Sequence, residues 1–332
     1  MSPLACVDAG LWRPSADEPR LVCGVGNFDG VHRGHQRILD RIVHLATEHA
    51  WRPAILTFDP HPLKVLRPEN PPRLLTTLEQ RLALFAAAGI SLVLLQKFDL
   101  DFARLSPEEF VERILIERLQ LAAVVVGANF RFGHRQQGDA ATLGELGSRR
   151  GLLVEIVPAV LVRGTPVSST RIREAIAQGR VTLAGRLLGR PFAVTGRVEP
   201  GAGRGARLLV PTLNVRPEQE LLPRHGVYAT ETLLGDRLYR SVTNVGVRPT
   251  FDGQRLTVET HLFGFDGSVA ADRIEVRFWK WLREERRFDS LTALREQIAR
   301  DIERARRFFV RLDRWRQRPA ASPVQSVQTA KK

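Results

Sequence analysis

The sequence predicts two folds in one chain: an α/β half built on a doubly wound parallel sheet, then an all-β half closed by one helix. Three observations predict this. Up to about residue 180, short apolar runs alternate with amphipathic stretches of helical period. From 192 to 282 the texture changes to period-two alternation broken by Gly-rich or Asp-Gly turns. A single long helical pattern, Ser290 to Leu312, follows.

In the first half, strands are expected at Leu21–Val25, Ala54–Phe58, Leu92–Gln96, Ala122–Gly127 and Leu153–Val157. Helices are expected near 35–50, 77–88, 106–119 and 140–150. Thr76 or Thr77 would cap the second helix and Ser106 the third, where Pro107 takes the first helical position. Residues 1–20 read as an N-terminal extension and 21–186 as the first domain. The second domain, 187–315, offers strands at Phe192–Val198, Arg207–Val215, Gly226–Leu233, Leu238–Val245, Thr257–Phe263 and Arg273–Trp279. Turns fall at Gly235-Asp236, Asp252-Gly253 and Asp266-Gly267. About six antiparallel strands with no long helix between them make a small barrel or sandwich. Residues 316–332, rich in Pro, Ala, Gln and Ser, read as a disordered tail.

Composition narrows the function. The 332 residues, 43% of them hydrophobic, suffice for two ordinary cores. No apolar run approaches bilayer length. Pro3, Asp8, Pro14, Asp17 and Glu18 exclude a secretory signal at the start. Cys6 and Cys23 are the only cysteines, so neither a disulfide framework nor a cysteine metal site is implied, and a cytoplasmic location is expected. The net charge is +14, most of it beyond residue 180, which invites a nucleic-acid reading. However, Arg300, Arg304, Arg307, Arg311 and Arg314 recur at helical spacing, as on a solvated helix face, and no aromatics interleave as stacking platforms. No nucleic acid or membrane partner is expected; weak self-association is left open.

Chemistry concentrates at Gly26-Asn27-Phe28-Asp29-Gly30-Val31-His32-Arg33-Gly34-His35. Here a buried strand, a Gly-rich turn and a helix start meet at two histidines. A helix N-terminus presents free N–H groups and a positive dipole end, which suit phosphate. Three-residue spacing puts His32 and His35 on one side of the first turn, as donors to a phosphorus centre gaining charge. Two more loops, Thr57 to Pro62 and Gly127 to Gly133, fall at strand ends on the same sheet edge. Val167-Ser168-Ser169-Thr170-Arg171-Ile172-Arg173 opens another helix with hydroxyls and arginines, a second phosphate site that could brace a leaving pyrophosphate.

These segments, with Leu188-Gly189-Arg190-Pro191 after them, resemble the prokaryotic bifunctional riboflavin kinase/FAD synthetase family from about Leu21 to Phe309. The resemblance implies a Rossmann-like nucleotidyltransferase followed by a six-stranded antiparallel riboflavin kinase barrel with a terminal helix. It implies that the first joins FMN to the AMP part of ATP, releasing pyrophosphate, and that the second makes FMN from riboflavin and ATP. His32 and His35 would then act on ATP phosphates within the turn of Gly26, Asn27, Phe28, Asp29, Gly30 and Gly34. Ser169, Thr170, Arg171 and Arg173 would bind the triphosphate. Phe58, His61, Asn129 and Phe132 would line the flavin and nucleotide pocket.

In the second half the resemblance gives Arg204 and Gly205 to ATP, Thr212 and Asn214 to Mg²⁺, Asn244 and Arg248 to the flavin, and Glu259 the role of catalytic base. Oxygen ligands suit Mg²⁺, and phosphoryl transfer needs a base for the incoming hydroxyl. Glu259 sits in a strand of apolar and β-branched residues, where a carboxylate needs a task or a partner unless it faces outward. Two positions depart from the family pattern. Ala128 replaces a polar or acidic residue, and Leu209-Val210 stands where Gly-Phe is usual, leaving a single retained activity as the alternative.

Overall fold

The computed structural model describes residues 3–15, 17–199, 211–250, 253–265 and 272–317, with side chains withheld at 248–250 and 253–256. The first half contains strands β1 Ala5–Asp8, β2 Leu21–Val25, β3 Arg52–Asp59, β4 Leu92–Lys97 and β5 Ala123–Gly127. A ribbon of β6 Arg131–Phe132 and β7 Gly138–Asp139 precedes β8 Leu153–Val157, and β9 Leu161–Val162 pairs with β10 Thr165–Pro166. The main sheet has the order β1-β4-β3-β2-β5-β8 and is parallel throughout. Its central strand β2 is buried at every position, because a parallel strand is covered by helices on both faces. The order reverses between β2 and β5, and at such a switch point the strand ends splay into a ligand crevice.

Helix α1, Arg33–His49, lies on one face and buries Ile38, Leu39, Ile42, Leu45 and Ala46, a stripe of helical period. Helix α2, Pro62–Leu66, and α3, Leu78–Ala87, follow; α3 is capped by Thr77 in a reciprocal capping box with Gln80. Helix α4, Pro107–Glu109, runs into a π-helical segment, Phe110–Arg118, within the span expected as one ordinary helix. Its buried Phe110, Val111, Ile114 and Leu115 fit either helical period equally well, so their spacing does not distinguish the two. Helix α5, Ala140–Ser148, packs with that segment in a core separate from that of α1.

The structure adds detail at two expected boundaries. The segment expected as an extension, 1–20, supplies β1, whose Ala5–Asp8 pair with Leu92–Leu95 as the edge of the sheet. Four residues of alternating burial carry too little pattern to announce a strand. Residue 186, expected to end the first domain, falls inside α7, Val181–Leu188. Helix α6, Ser169–Ala177, and α7 bury Ile172, Ile176, Leu187 and Leu188 in one core with the barrel residues Phe192, Tyr228 and Phe278. The last helices of the first half therefore rest on the second.

The second half comprises β11 Phe192–Glu199, β12 Leu213–Pro217, β13 Gly226–Leu234, β14 Arg237–Thr250, β15 Gly253–Leu262 and β16 Arg273–Arg283. They form a closed barrel, β11-β12-β15-β14-β13-β16, which settles barrel against sandwich. Val215, Val245 and Val258 fill it toward α7. A hydroxyl network of Thr230, Thr232, Ser241, Thr243 and Thr260, all fully buried, fills the rest at 2.7 to 3.2 Å. Each hydroxyl donates to one neighbour and accepts from another, which removes the cost of burying it. Helix α8, Leu291–Arg316, capped by Ser290, lays Ala305 and Phe309 on the outer residues Val227, Ala229 and Leu282.

Candidate functional site

The switch point opens into a cavity of about 900 Å³. Of the residues singled out from the sequence, Gly26, Asn27, Phe28, Asp29, His35, Phe58, His61, Asn129, Phe132, Ser169 and Arg173 line it. The turn that begins it is held in uncommon backbone: Phe28 has φ +50°, Gly30 φ +81° and Val31 φ +38°. A positive φ is rare for a β-branched residue and persists only where surroundings impose it. Here Phe28 is driven into the core, its ring edge-on to Phe85 and tilted against His35 at 5.1 Å.

His32 is the N-cap of α1, and its Nδ1 accepts from the backbone N–H of His35. Gly34 leaves room for this, since a Cβ there would stand 3.1 Å from the His32 ring. The imidazoles of His32 and His35 stack with centroids 3.6 Å apart and planes 13° apart, so both do sit on one side of the first turn. His35 faces the cavity, and its Nδ1 is buried with no hydrogen-bond partner among the described residues. Such a ring nitrogen is free to bond a water or a ligand in the cavity. Burial, with the neighbouring ring and Arg190, holds His35 well below the usual histidine range; burial brings His32 down to about 4. Both rings are therefore neutral at pH 7.

Asp29 is buried and accepts from Leu75 N–H, Thr76 N–H and the Thr76 hydroxyl, while Arg173 donates to it at 2.7 Å. Arg173 also donates to the carbonyl of Arg73, and Ser169 donates to the carbonyl of Asp29. These residues join the starts of α1 and α6 into one floor. Thr170 and Arg171 are not brought to the cavity wall; Arg171 turns back onto the carbonyls of Thr165 and Pro166. His61 caps α2 through Leu63 N–H and, like His32, is pushed down to about 4 by burial.

Sequence reading missed three features here. Phe98, Phe102, Phe110 and Phe130 join the expected Phe58 and Phe132 in a connected wall with neighbouring centroids 5.5 to 6.1 Å apart. Arg81, 4% exposed, lies under the turn and donates to the carbonyl of Asn27. Arg190 reaches the same turn from the second half. Only the wall had a signal, the recurrence of Phe in loops at strand ends.

In the barrel, three of the residues expected at the second site, Asn214, Glu259 and Asn244, fall in one row that Glu199 of β11 extends. Glu199, Asn214, Glu259 and Asn244 are register partners across β11, β12, β15 and β14. Their neighbours Val215, Val258 and Val245 point inward, so the row lies on the outer face. Asn244 donates to Glu285 at 3.4 Å, and Glu285 lines a second cavity of about 560 Å³ with Leu221, Leu222 and Arg224. Thr212 is exposed just before β12, and His261 holds that stretch by a 2.8 Å bond to the carbonyl of Pro211. The hydroxyl of Thr212 and the amide oxygen of Asn214 are hard donors, which suits a Mg²⁺ ion that keeps waters and phosphate oxygens as its other ligands. Arg204, Gly205, Leu209 and Val210 lie outside the described residues, as does the side chain of Arg248.

Comparison with known proteins agrees with this division. The family described as FAD synthetase matches residues 15–171, and the family described as riboflavin kinase matches 188–309. A bifunctional riboflavin kinase/FMN adenylyltransferase of Escherichia coli (strain K12) is 37% identical over 295 residues, 89% of this chain and 94% of its own. The protein of the same description from Pseudomonas fluorescens is 39% identical over 298 residues, 90% and 96% of the two chains. A crystal structure from Streptococcus pneumoniae, described as a macrolide-efflux protein, superimposes with TM-score 0.82 at 28% identity, covering 91% of this chain and 98% of that one. No helix among the described residues is long and apolar enough to cross a membrane. With a cavity at the sheet edge, a carboxylate–amide row on the barrel and both family matches in order, the chain belongs to the bifunctional riboflavin kinase/FMN adenylyltransferase family.

Proposed function

We propose that this chain makes FMN from riboflavin on the barrel and FAD from FMN at the sheet edge, consuming one ATP in each step, in the cytoplasm. The observation that carries the second step is the buried, unpartnered Nδ1 of His35 facing a cavity with an aromatic wall. Six phenylalanines suit the isoalloxazine ring, and the helix starts at the opposite side suit phosphates. A terminal phosphate oxygen of FMN attacks the α-phosphorus of ATP, the bond to the bridging oxygen breaks, and pyrophosphate leaves. His35 donates to the charge that develops, and His32, stacked beneath it, fixes the ring. An anionic phosphate needs no base, so both imidazoles serve while neutral.

On the barrel, Glu259 takes the proton of the ribityl 5′-hydroxyl as that oxygen bonds the γ-phosphorus and ADP leaves. Thr212 and Asn214 would hold Mg²⁺, which supplies charge neutralisation at the phosphates when bound. Asn244, one strand from Glu259 and bonded to Glu285, would place riboflavin at the second cavity. The test is direct: purified protein with riboflavin, ATP and Mg²⁺, products separated by chromatography over time. FMN should appear first and FAD after it. A chain that makes no FMN, or makes FMN and never FAD, overturns the reading for the corresponding half.

A further inference from the structure

Within the turn from Gly26 to His35, the Val31 N–H donates to the carbonyl of Phe28. The carbonyls of Gly30 and Val31, two residues at positive φ ahead of α1, are bonded instead by side chains. One donor to both carbonyls comes from the other half of the chain. Arg190, two residues before β11, gives one guanidinium nitrogen to the carbonyl of Gly30 at 2.8 Å and the other to that of Val31 at 3.0 Å. Gln36 on α1 spans the same joint, bonding the carbonyls of Val31 at 2.9 Å and Leu188 at 2.8 Å. Burial brings Arg190 down to about 10, so it remains a cation at neutral pH.

A second brace comes from the barrel side. Glu220 pairs with Lys64 and accepts from Leu74 N–H at 3.0 Å. The next two N–H groups, Leu75 and Thr76, are those that hold Asp29. Leu75 and Leu188 close over Gly30, where a Cβ would come within 2.7 and 3.4 Å of their side chains. Glycine at φ +81° is thus clamped between Leu75 and the end of α7.

We propose that Arg190, at the head of the riboflavin kinase half, is a positioning residue for adenylyl transfer, holding the 26–35 turn of the other half in its phosphate-accepting shape. The inference rests on reading that turn as the site of the ATP phosphates. Riboflavin phosphorylation should not depend on it, because Arg190 precedes β11 whereas the row crosses that strand at its other end, Glu199. One fork over two adjacent carbonyls is a task for guanidinium; the single nitrogen of a lysine cannot reproduce the planar two-nitrogen geometry.

The experiment compares the full chain with Arg190→Met and Arg190→Lys, assaying FAD formation from supplied FMN and FMN formation from riboflavin. For Arg190→Met the KM for ATP in FAD formation should rise about ten-fold or more, as expected for losing charged hydrogen bonds. Riboflavin phosphorylation should stay unchanged. The charged groups facing the histidine pair are Asp29, Arg173 and Arg190. Removing the Arg190 cation lets the rings protonate more readily, so the acid limb of the FAD-forming pH profile should move to higher pH. Arg190→Lys should return the limb but not the KM. An unchanged KM and an unmoved limb would overturn the proposal, as would an equal fall in both activities. If Arg190→Met does not fold, Gln36→Leu opens the same joint and must raise the same KM; an unaltered value is equally fatal. His32→Ala runs alongside: if FAD formation survives it, the turn is not the phosphate site and both readings fall together.

Discussion

The carboxylate of Asp29 and the guanidinium of Arg173 meet at 2.7 Å across 144 positions of sequence. Asp29 is 3% exposed and Arg173 is 19% exposed, so the pair is shielded from solvent and from salt. It fastens the start of α6 to the turn before α1, and both helix starts then face one cavity. The arginine assigned to phosphate from sequence is therefore already committed to a carboxylate. Its charge still reaches the cavity, but its position is structural.

Removing one partner of such a pair strands the other. Asp29→Ala should cost about 3 to 5 kcal/mol, because it leaves a shielded cation and two backbone N–H groups unpaired. Arg173→Met should cost less, since Asp29 keeps Leu75 and Thr76 as donors. Denaturant unfolding of both variants checks the order. Equal losses would mean that the N–H bonds contribute nothing.

Glu259→Gln should lower FMN formation by about two to four orders of magnitude, the usual contribution of a general base. FAD formation from supplied FMN should be untouched, because the row lies on the barrel and not at the sheet edge. Separate assays with riboflavin and with FMN decide this. Joint loss in a folded variant would refute separate sites.

His32→Ala should act in the opposite sense: with riboflavin as substrate, FMN accumulates and FAD does not. It removes the N-cap of α1 and the ring on which His35 stacks. Chromatography of a riboflavin time course shows the accumulation. A normal FAD yield would exclude the histidine pair from the chemistry.

His61 gives a prediction about acid. Its folded pKa, about 4, lies below the unfolded value near 6.5, so the unfolded chain binds the extra proton between them. The stability held by the neutral ring is complete above about pH 6.5 and is lost as pH falls toward 4. His61→Asn keeps a good helix cap without a titrating ring. The variant's melting temperature should fall less than the wild type's across that window. Parallel curves would show that His61 is not desolvated.

The hydroxyl network in the barrel should be sensitive to a single methyl. Thr243→Val conserves shape but strands Thr230 and Thr260, its partners at 2.7 and 2.9 Å. The cost should be about 1 to 3 kcal/mol, measured by denaturant titration. Thr230→Val should cost a similar amount, and the double variant less than the sum, since the two share one bond.

Much of this was legible from residues alone. Parallel strands such as β2 and β5 are apolar throughout, and the turns between them carry the glycines and histidines of the site. The stacking of His32 on His35 follows from a three-residue spacing at a helix start. What escaped depends on long-range geometry. Arg81 and Arg190 bond backbone carbonyls, which have no side-chain identity to match. The alignment of Glu199, Asn214, Glu259 and Asn244 depends on register, and register is a property of paired strands rather than of any one. Strand β1 is four residues long and was hidden by its brevity.

That four-strand row has a consequence for how the barrel half can change over time. Its polar side chains are placed once per strand, so a single residue inserted within β12 or β15 would turn Asn214 or Glu259 inward and bring an inward-facing neighbour to the outer face. Lengthening the loops between strands leaves the pairing intact. The barrel's activity should therefore tolerate variation at its rims while its strands stay fixed in length, and insertions mapped across the gene would fall into lethal and silent blocks on that boundary.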